Sequence, residues 1–459
     1  MIEHIRAHGQ LFAIIIMWVV VTLYGGILIY AVLPISVLMM RARDQYVHIF
    51  FGFLMILILS DLDPMFVAMR KIKTAKHAMM VAVSLVVLMD RQKMSPLSAV
   101  FAVFLPFFAY SILPLANGND PITGAEKTLS YALLFLAVPN YVLYNFRRDG
   151  WEFVRNLVYF TIVILLFSYA MLYVRPNWVS AAGRFRALFG NPNGMGIFSF
   201  LMFMLVTVAS YMKKDLFTFR TKMLIYGVLV YTLIECGSRT AVAATAMFLV
   251  FSRFFGFSPF IGVIAFILFL AVAEAVQTNL SSIVLSLGLE KFFRIETLDD
   301  GSGRYFAWGF AWQQINDGGY FLFGGGFGND EYVMRLNYPY LRSQGHHGGV
   351  HNSYLTMWFN TGIIGIIIFL RSFFLIFLKS SKRVPMAFAV MFASMFSALY
   401  ESWLTGSLNP FTIILVTIMT LVTEPDIVNT MGTTEDEADT NTGTKLEPEV
   451  PVPIGIERT

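Results

Sequence analysis

The stretch NPNGMGIFSFLMFMLVTVASYMKK, residues 191–214, decides the fold. Asn191-Pro192 pairs a capping residue with a proline suited to the first helical position. The apolar run behind them is about the 20 residues that a helix needs to cross a bilayer core, and it stops at Lys213-Lys214. Runs of this kind recur from Leu11 to Thr423. The whole chain of 459 residues is 57% hydrophobic, 16% aromatic and only 14% charged, with a mean hydropathy of +0.66. Soluble domains carry roughly 25% charged residues, so a soluble enzyme is excluded. An outer-membrane barrel is excluded too, because its strands would alternate apolar with polar residues. The expected fold is all-α, a polytopic transmembrane helical bundle.

Lys and Arg between apolar runs set the orientation, since short basic loops stay cytoplasmic. Arg147-Arg148, then Lys213-Lys214 with Arg220 and Lys222, then Lys379 with Lys382-Arg383 form such loops. Spans near 128–146, 151–174, 191–212, 221–236, 239–254, 255–277, 351–378, 384–402 and 410–423 alternate consistently around them. The segments 175–190, 238–240, 278–350 and 401–409 are then expected on the outer face. The first 95 residues resolve less well. Arg70, Lys71, Lys73 and Lys76 call for a cytoplasmic loop, while the run from His77 to Met94 is short and ends in Asp90-Arg91, so one segment there is expected to be interfacial or broken. At about 20 residues per crossing the chain has room for about 11 to 13 spans. Residues 1–277 then form the N-terminal transmembrane helices and 351–423 the C-terminal ones. Between them, 278–350 is a large outward-facing loop subdomain with 13 glycines, aromatics and both signs of charge, unlike a low-complexity linker.

The net charge of +4 divides unevenly, −7 from Glu424 to Thr459 and +11 over the rest. Residues 424–459 are expected to be a disordered acidic cytoplasmic tail. The single cysteine, Cys236, forbids an intramolecular disulfide and any Cys-based metal cluster. The run from Leu11 to Met40 is too long for a signal h-region and leads into Arg41 and Arg43, so no cleavable signal peptide is expected.

Four clusters stand at the outer mouths of spans: Arg184-Phe185-Arg186 leading into Gly190-Asn191-Pro192-Asn193-Gly194; Gly237-Ser238-Arg239-Thr240; Gly301-Ser302-Gly303-Arg304; and His351-Asn352-Ser353-Tyr354. Arginine at a membrane boundary is costly unless paired or snorkelled. Any one of these could pair with an acid such as Asp299, but several converging on the face that positive charge avoids call for an anionic partner. The guanidinium fork grips phosphate oxygens bidentately. The capping role alone accounts for Asn191-Pro192, although the same geometry turns free backbone N–H groups outward, where an anion would sit.

Gly324-Gly325-Gly326-Phe327-Gly328 lets backbone approach a ligand or another loop closely. It lacks the Lys-Ser/Thr of a P-loop, so no nucleotide site is expected; no nucleic acid partner is expected either. His347 and His351 are four apart, but Gly348-Gly349 separates them and no cysteine is near, so no metal site is expected. His351 alone opens a span, where a neutral imidazole could take a proton from a sugar hydroxyl; a lone histidine is more often structural. A transporter would want ionisable residues near the midplane and repeated halves. Asp61, Asp63 and Glu235 lie near predicted span ends instead, and no internal repeat is visible.

Taken in order, Gly190-Asn191-Pro192-Asn193, Ser238-Arg239-Thr240 before an Ala-rich helix, Gly303-Arg304 with Trp308, the Phe323–Gly328 glycine run, and His351-Asn352-Ser353-Tyr354-Leu355 before Gly362-x-x-Gly365 resemble the O-antigen ligase and O-antigen polymerase superfamily. The likeness covers roughly 180–370. Glu401-Ser402 and Asn409-Pro410 are similar to what polymerase-type members carry near their last spans. A proline often found ahead of the glycine run is absent, Gly318-Gly319-Tyr320-Phe321 standing there instead.

The resemblance implies an inverting, metal-independent glycosyltransferase of a bacterial inner membrane, with no cofactor. Its donor would be an undecaprenyl-diphosphate-linked oligosaccharide and its product polymerised O-antigen or exopolysaccharide repeats; a ligase passing the glycan to lipid A-core or another surface acceptor is the alternative. By the same resemblance His351 activates the acceptor hydroxyl, and Arg239 and Arg304 hold the diphosphate with either Arg184 or Arg186. Asn191, Asn193, Asn352 and Glu401 are expected substrate-binding residues. Membrane lipids, and a chain-length regulator or flippase, are the further partners implied.

Overall fold

The computed structural model describes residues 6–62, 69–95, 97–258, 304–346 and 348–431, with 260–262, 264–265, 267–268 and 286. Asp63, Asp299, Gly301, Gly303, His347, most of the expected span 255–277 and the tail beyond 431 lie outside them.

The described chain is a helical bundle. Its main helices are α1 (Gly9–Val20), α2 (Ile29–Ala42), α3 (Tyr46–Asp61), α4 (Arg70–Met89), α5 (Ala99–Tyr110), α6 (Pro121–Asp149), α7 (Trp151–Val174), α8 (Pro192–Met212), α9 (Phe219–Glu235), α10 (Arg239–Phe257), α11 (Arg304–Asp317), α12 (Asn329–Leu336), α13 (Ser353–Ser381), α14 (Ala387–Tyr400) and α15 (Pro410–Thr423). Among the described residues the sheet content is one two-stranded hairpin, Ser180–Ala181 against Arg184–Phe185. Helices α3, α8 and α15 are largely buried inside the bundle, and α15 lies against both α6 and α8.

Among the described residues seven helical runs are long and apolar enough to cross a membrane, and α3, α14 and α15 are shorter apolar helices. Most of the expected span 255–277 lies outside the described residues, several described elements fall short of 20 residues, and one of the seven runs is not a single helix. The run Gly9–Ala42 contains a π-turn at Val21–Gly25 and a left-handed Gly26 at φ +62°. Trp18 Nε1 donates to Ser36 Oγ at 3.0 Å, and Gln45 Nε2 reaches Gln10 Oε1 at 2.9 Å. In a straight helix 18 residues span about 27 Å. Thus α1 and α2 form an antiparallel hairpin within what reads in sequence as one apolar run from Leu11 to Met40.

Polar contacts divide the bundle into two ends. At one, Lys93 pairs with Asp44 at 2.8 Å, Arg41 with Asp90 at 2.7 Å and Arg147 with Asp426 at 2.7 Å. Trp151 Nε1 donates to Thr430 Oγ1 at 3.0 Å and Arg383 Nη1 to Asn429 Oδ1 at 2.7 Å. Residues 424–431, expected as the start of a disordered tail, are therefore packed against the bundle, with Ile427 and Val428 buried. The opposite end gathers Asp61, the 175–194 segment, Cys236–Arg239, α11, α12, His351 and the 401–409 turn.

The basic residues 70–76 belong to that second end, which corrects their expected place with the Arg147 loop. Lys76 Nζ donates to the carbonyl of Leu408 at 2.8 Å. These residues are not a loop but the first two turns of α4, and a 20-residue helix puts Arg70 and Asp90 at opposite ends.

The described part of the large loop has an apolar cluster of its own, with Ala307, Phe310, Ile315, Val333, Leu341 and Val350 at its centre. The glycine run joins it to α13. That helix breaks at Gly362, φ +67° and ψ −179°, and the carbonyls freed there are met by loop amides. Gly325 N donates to Phe359 O at 3.0 Å and Gly326 N to Asn360 O at 2.8 Å, while Ile363 N returns to Phe321 O at 2.9 Å. A Cβ on Gly362 would stand 2.1 Å from Leu322 O. The close approach expected of the glycine run is thus made to another backbone segment.

Candidate functional site

Three asparagine caps fix the helix starts around which the site is built. Asn191 Oδ1 accepts from Gly194 N at 2.7 Å at the start of α8. Asn352 Oδ1 accepts from Tyr354 N at 2.9 Å and Leu355 N at 3.1 Å at the start of α13. Asn409 Oδ1 accepts from Thr412 N at 2.7 Å at the start of α15. Each cap satisfies amides that a helix N-terminus leaves without partners. The expected substrate-binding residues Asn191 and Asn352 thus spend their side-chain oxygens on the fold.

The residues flanking His351 lock it against the 401–404 turn. Ser353 Oγ donates to the carbonyl of Glu401 at 2.7 Å, Asn352 N donates to Ser402 Oγ at 2.9 Å, and Tyr354 Oη donates to Met395 O at 2.9 Å. His351 itself sits at φ +52°, a left-handed conformation uncommon for a residue with a side chain. Such strain persists where surrounding bonds over-determine it and is concentrated at functional sites.

Glu401 is the hub. Its carboxylate is 11% exposed, and three side chains point into it. Arg304 Nη2 donates to Oε1 at 2.7 Å, Asn193 Nδ2 donates to the same oxygen at 2.8 Å, and His351 Nδ1 lies 3.2 Å from Oε2. Asn193 relays the network outward, its Oδ1 accepting from Arg184 Nη2 at 2.8 Å. Arg184 Nε donates to the carbonyl of Cys236 at 2.7 Å, three residues before the half-buried Arg239 that opens α10. Because a carboxylate can only accept, its contact requires a proton on Nδ1, and in the neutral ring that leaves the lone pair on Nε2. The imidazole is 35% exposed. The result is an imidazole held by a buried carboxylate, which also takes the Arg304 guanidinium and, through Asn193, is linked to that of Arg184.

Of the expected residues, the structure brings Arg184, Asn193, Arg304, His351 and Glu401 into one bonded network and sets Arg239 next to it along the chain. Arg186 is not part of it. At 1% exposure its guanidinium braces the 178–190 loop, donating to Trp178 O at 2.9 Å and Gly190 O at 3.1 Å. His346 is closer than the Gly348-Gly349 break suggests. Its ring centroid lies 5.9 Å from that of His351, and its Nε2 is 2.9 Å from Gly349 O, which holds the intervening loop. Gly348 backs onto the imidazole, since a Cβ there would fall 2.6 Å from His351 Nε2. Asp61 also matters to this end: its carboxylate accepts from Gly190 N at 2.8 Å and holds the loop that carries Arg184. Among the described residues no group of three or more His, Cys, Asp or Glu is arranged to hold a metal ion.

Residues 223–370 match the family model described as O-Antigen ligase. The matched segment contains Arg239, Arg304, the glycine run and His351, and it ends before Glu401. A comparison with curated proteins finds no match. Together with the all-helical architecture and its membrane-spanning helices, the matched segment supports placing this chain in the O-antigen ligase and polymerase superfamily, as a multi-pass membrane protein of that type.

Proposed function

We propose that this chain is an inverting, metal-independent glycosyltransferase that joins undecaprenyl-diphosphate-linked glycans, polymerising O-antigen or exopolysaccharide repeat units. The observation that carries this is the Arg304–Glu401–His351 network with its extension through Asn193 to Arg184. His351 Nε2 takes the proton of an acceptor hydroxyl as that oxygen attacks the anomeric carbon. The bond from that carbon to the diphosphate breaks, and the leaving diphosphate carries away the electron pair. In this reading Arg184, Arg239 and Arg304 hold it, and cations at that point lower the barrier because charge grows on the leaving group. No nucleotide is needed, since the energy lies in the sugar-diphosphate bond.

The site is assigned to the outer face of a bacterial inner membrane, because the opposite end carries Arg147, Arg148 and Arg383 and short basic loops stay in the cytoplasm. Transfer to lipid A-core or another surface acceptor is a second reading, favoured by the description of the matched family as O-antigen ligase. Removing the gene separates the two. A polymerase leaves surface polysaccharide of single repeats, whereas a ligase leaves long lipid-linked chains unattached; an unchanged polysaccharide profile counts against both.

Lysine at position 239 or 304 keeps the charge but replaces a planar fork by a single ammonium. Losing a charge-assisted hydrogen bond costs about 1.5–3 kcal/mol, so Arg239→Lys and Arg304→Lys are each expected to lower transfer by detergent-solubilised protein about 10- to 100-fold. Full activity in both variants would reassign the two arginines to packing.

A further inference from the structure

A cavity of about 610 Å³ lies beside the Glu401 turn, within the roughly 300–1,000 Å³ typical of small-molecule sites. Its wall includes Gly349 and Val350, the two residues before His351, and Ser402, the residue after Glu401. It therefore borders the chain segments that carry the histidine and the carboxylate. None of Arg184, Arg239, Arg304, His351 and Glu401 itself lines it. The His351–Glu401 pair thus has the arginine network against one carboxylate oxygen and this separate cavity against its flanking backbone.

The cavity's chemistry suits a charged sugar. Hydrocarbon side chains come from Phe327, Val350 and Leu408 alone, too few for a polyprenyl chain, which needs apolar walls. Hydroxyls of Thr and Ser and three carboxyl groups offer partners for sugar hydroxyls. Four cations, Lys73, Lys76, Lys127 and Arg335, face Glu126, Asp330 and Glu331. Lys127 is paired with Glu331 at 2.8 Å, whereas Arg335 makes no ion pair among the described residues. Burial pushes the Asp330 carboxyl up to about 6, against the opposing hydrogen bond from Asn360. The balance of the wall is positive.

Resting on the function proposed above, we propose that this cavity seats the acceptor glycan, an oligosaccharide bearing an anionic group, next to the chain segment that carries His351 and apart from the arginines. Arg335, exposed on α12, is the cation left to meet the anionic group.

The test uses the full-length protein in detergent. Lipid-linked repeats extracted from cells lacking the gene serve as donor, and the oligosaccharide released from them by mild acid serves as acceptor. Arg335→Glu is expected to raise the KM for that acceptor about 10- to 100-fold, the scale of a lost charge-assisted contact, with kcat at saturating acceptor within about twofold. Lys127→Gln should move KM in the same direction, and reducing the carboxylates of the acceptor to alcohols should mimic Arg335→Glu. An unchanged acceptor KM in both variants of a protein that transfers overturns the cavity assignment and leaves the proposed function standing. An acceptor found to be neutral overturns the anionic assignment. Wild-type protein that binds donor but transfers to no acceptor overturns the function itself, and the cavity proposal falls with it.

Discussion

His351→Asn is expected to reduce glycan transfer by about 10² to 10⁴, the usual cost of losing a general base, while the protein remains inserted, folded and able to bind lipid-linked donor. Asparagine is the informative replacement because position 351 holds φ +52°, and Asn tolerates the left-handed region better than most residues. Alanine at the same position would remove the imidazole and also add backbone strain, confusing two causes. If His351 served only to shape the start of α13, Asn would preserve activity per folded molecule, because Asn352 and Ser353 make the capping and turn contacts. Donor binding provides the second readout. The arginines are untouched by the change, so a variant that loses transfer and donor affinity together points to structural collapse and contradicts a catalytic role. His346→Ala is not a neutral control, because the His346 contact to Gly349 O holds the loop behind the imidazole. It should lower activity by displacing His351 without removing it, a smaller loss than His351→Asn.

What was legible in the sequence was what is local. The cap at Asn191 follows from Asn before Pro, whereas Asn352, expected to bind substrate, proves to cap its helix as Asn409 does, and the later helices begin and end close to where apolar runs meet basic loops. The arginines and His351 stood out as costly residues at span mouths. The fold-back at residues 21–28 was less visible, because Gly25-Gly26 interrupts an apolar run without any charge to mark a loop. The cluster Arg70–Lys76 misled for a different reason. Positive charge between spans argues for a cytoplasmic loop only where it is a loop, and here the residues are a helix start whose Lys76 is spent on Leu408. The choice between Arg184 and Arg186 could not be made from two positions in one short hairpin. Pairing of Ala181 with Arg184 and the turn at Ala187, φ +50°, send one guanidinium to Asn193 and the other into backbone. Least legible was the role of Glu401, since its partners at 193, 304 and 351 are 208, 97 and 50 residues away in the chain.

Glu401→Gln tests that role with almost no change in shape. The glutamine amide has one oxygen and one NH₂ group. Its oxygen is drawn to the Oε1 position, where Arg304 and Asn193 both donate, and this leaves the NH₂ facing His351 Nδ1. An NH₂ donates, so Nδ1 must now accept, and the imidazole proton moves to Nε2. The fold and the arginine network survive, but the nitrogen that faced the acceptor hydroxyl no longer has a lone pair. A wrong-tautomer substitution in a histidine–carboxylate pair costs about 10⁴ in rate, so Glu401→Gln is expected to approach the loss in His351→Asn with donor affinity retained. Because the two residues act as one unit, the double variant should be little worse than either single variant. Additive losses would mean that Glu401 acts independently of the histidine, through direct contact with substrate. Full activity in Glu401→Gln would show that the carboxylate orients nothing, and the base would have to be sought elsewhere.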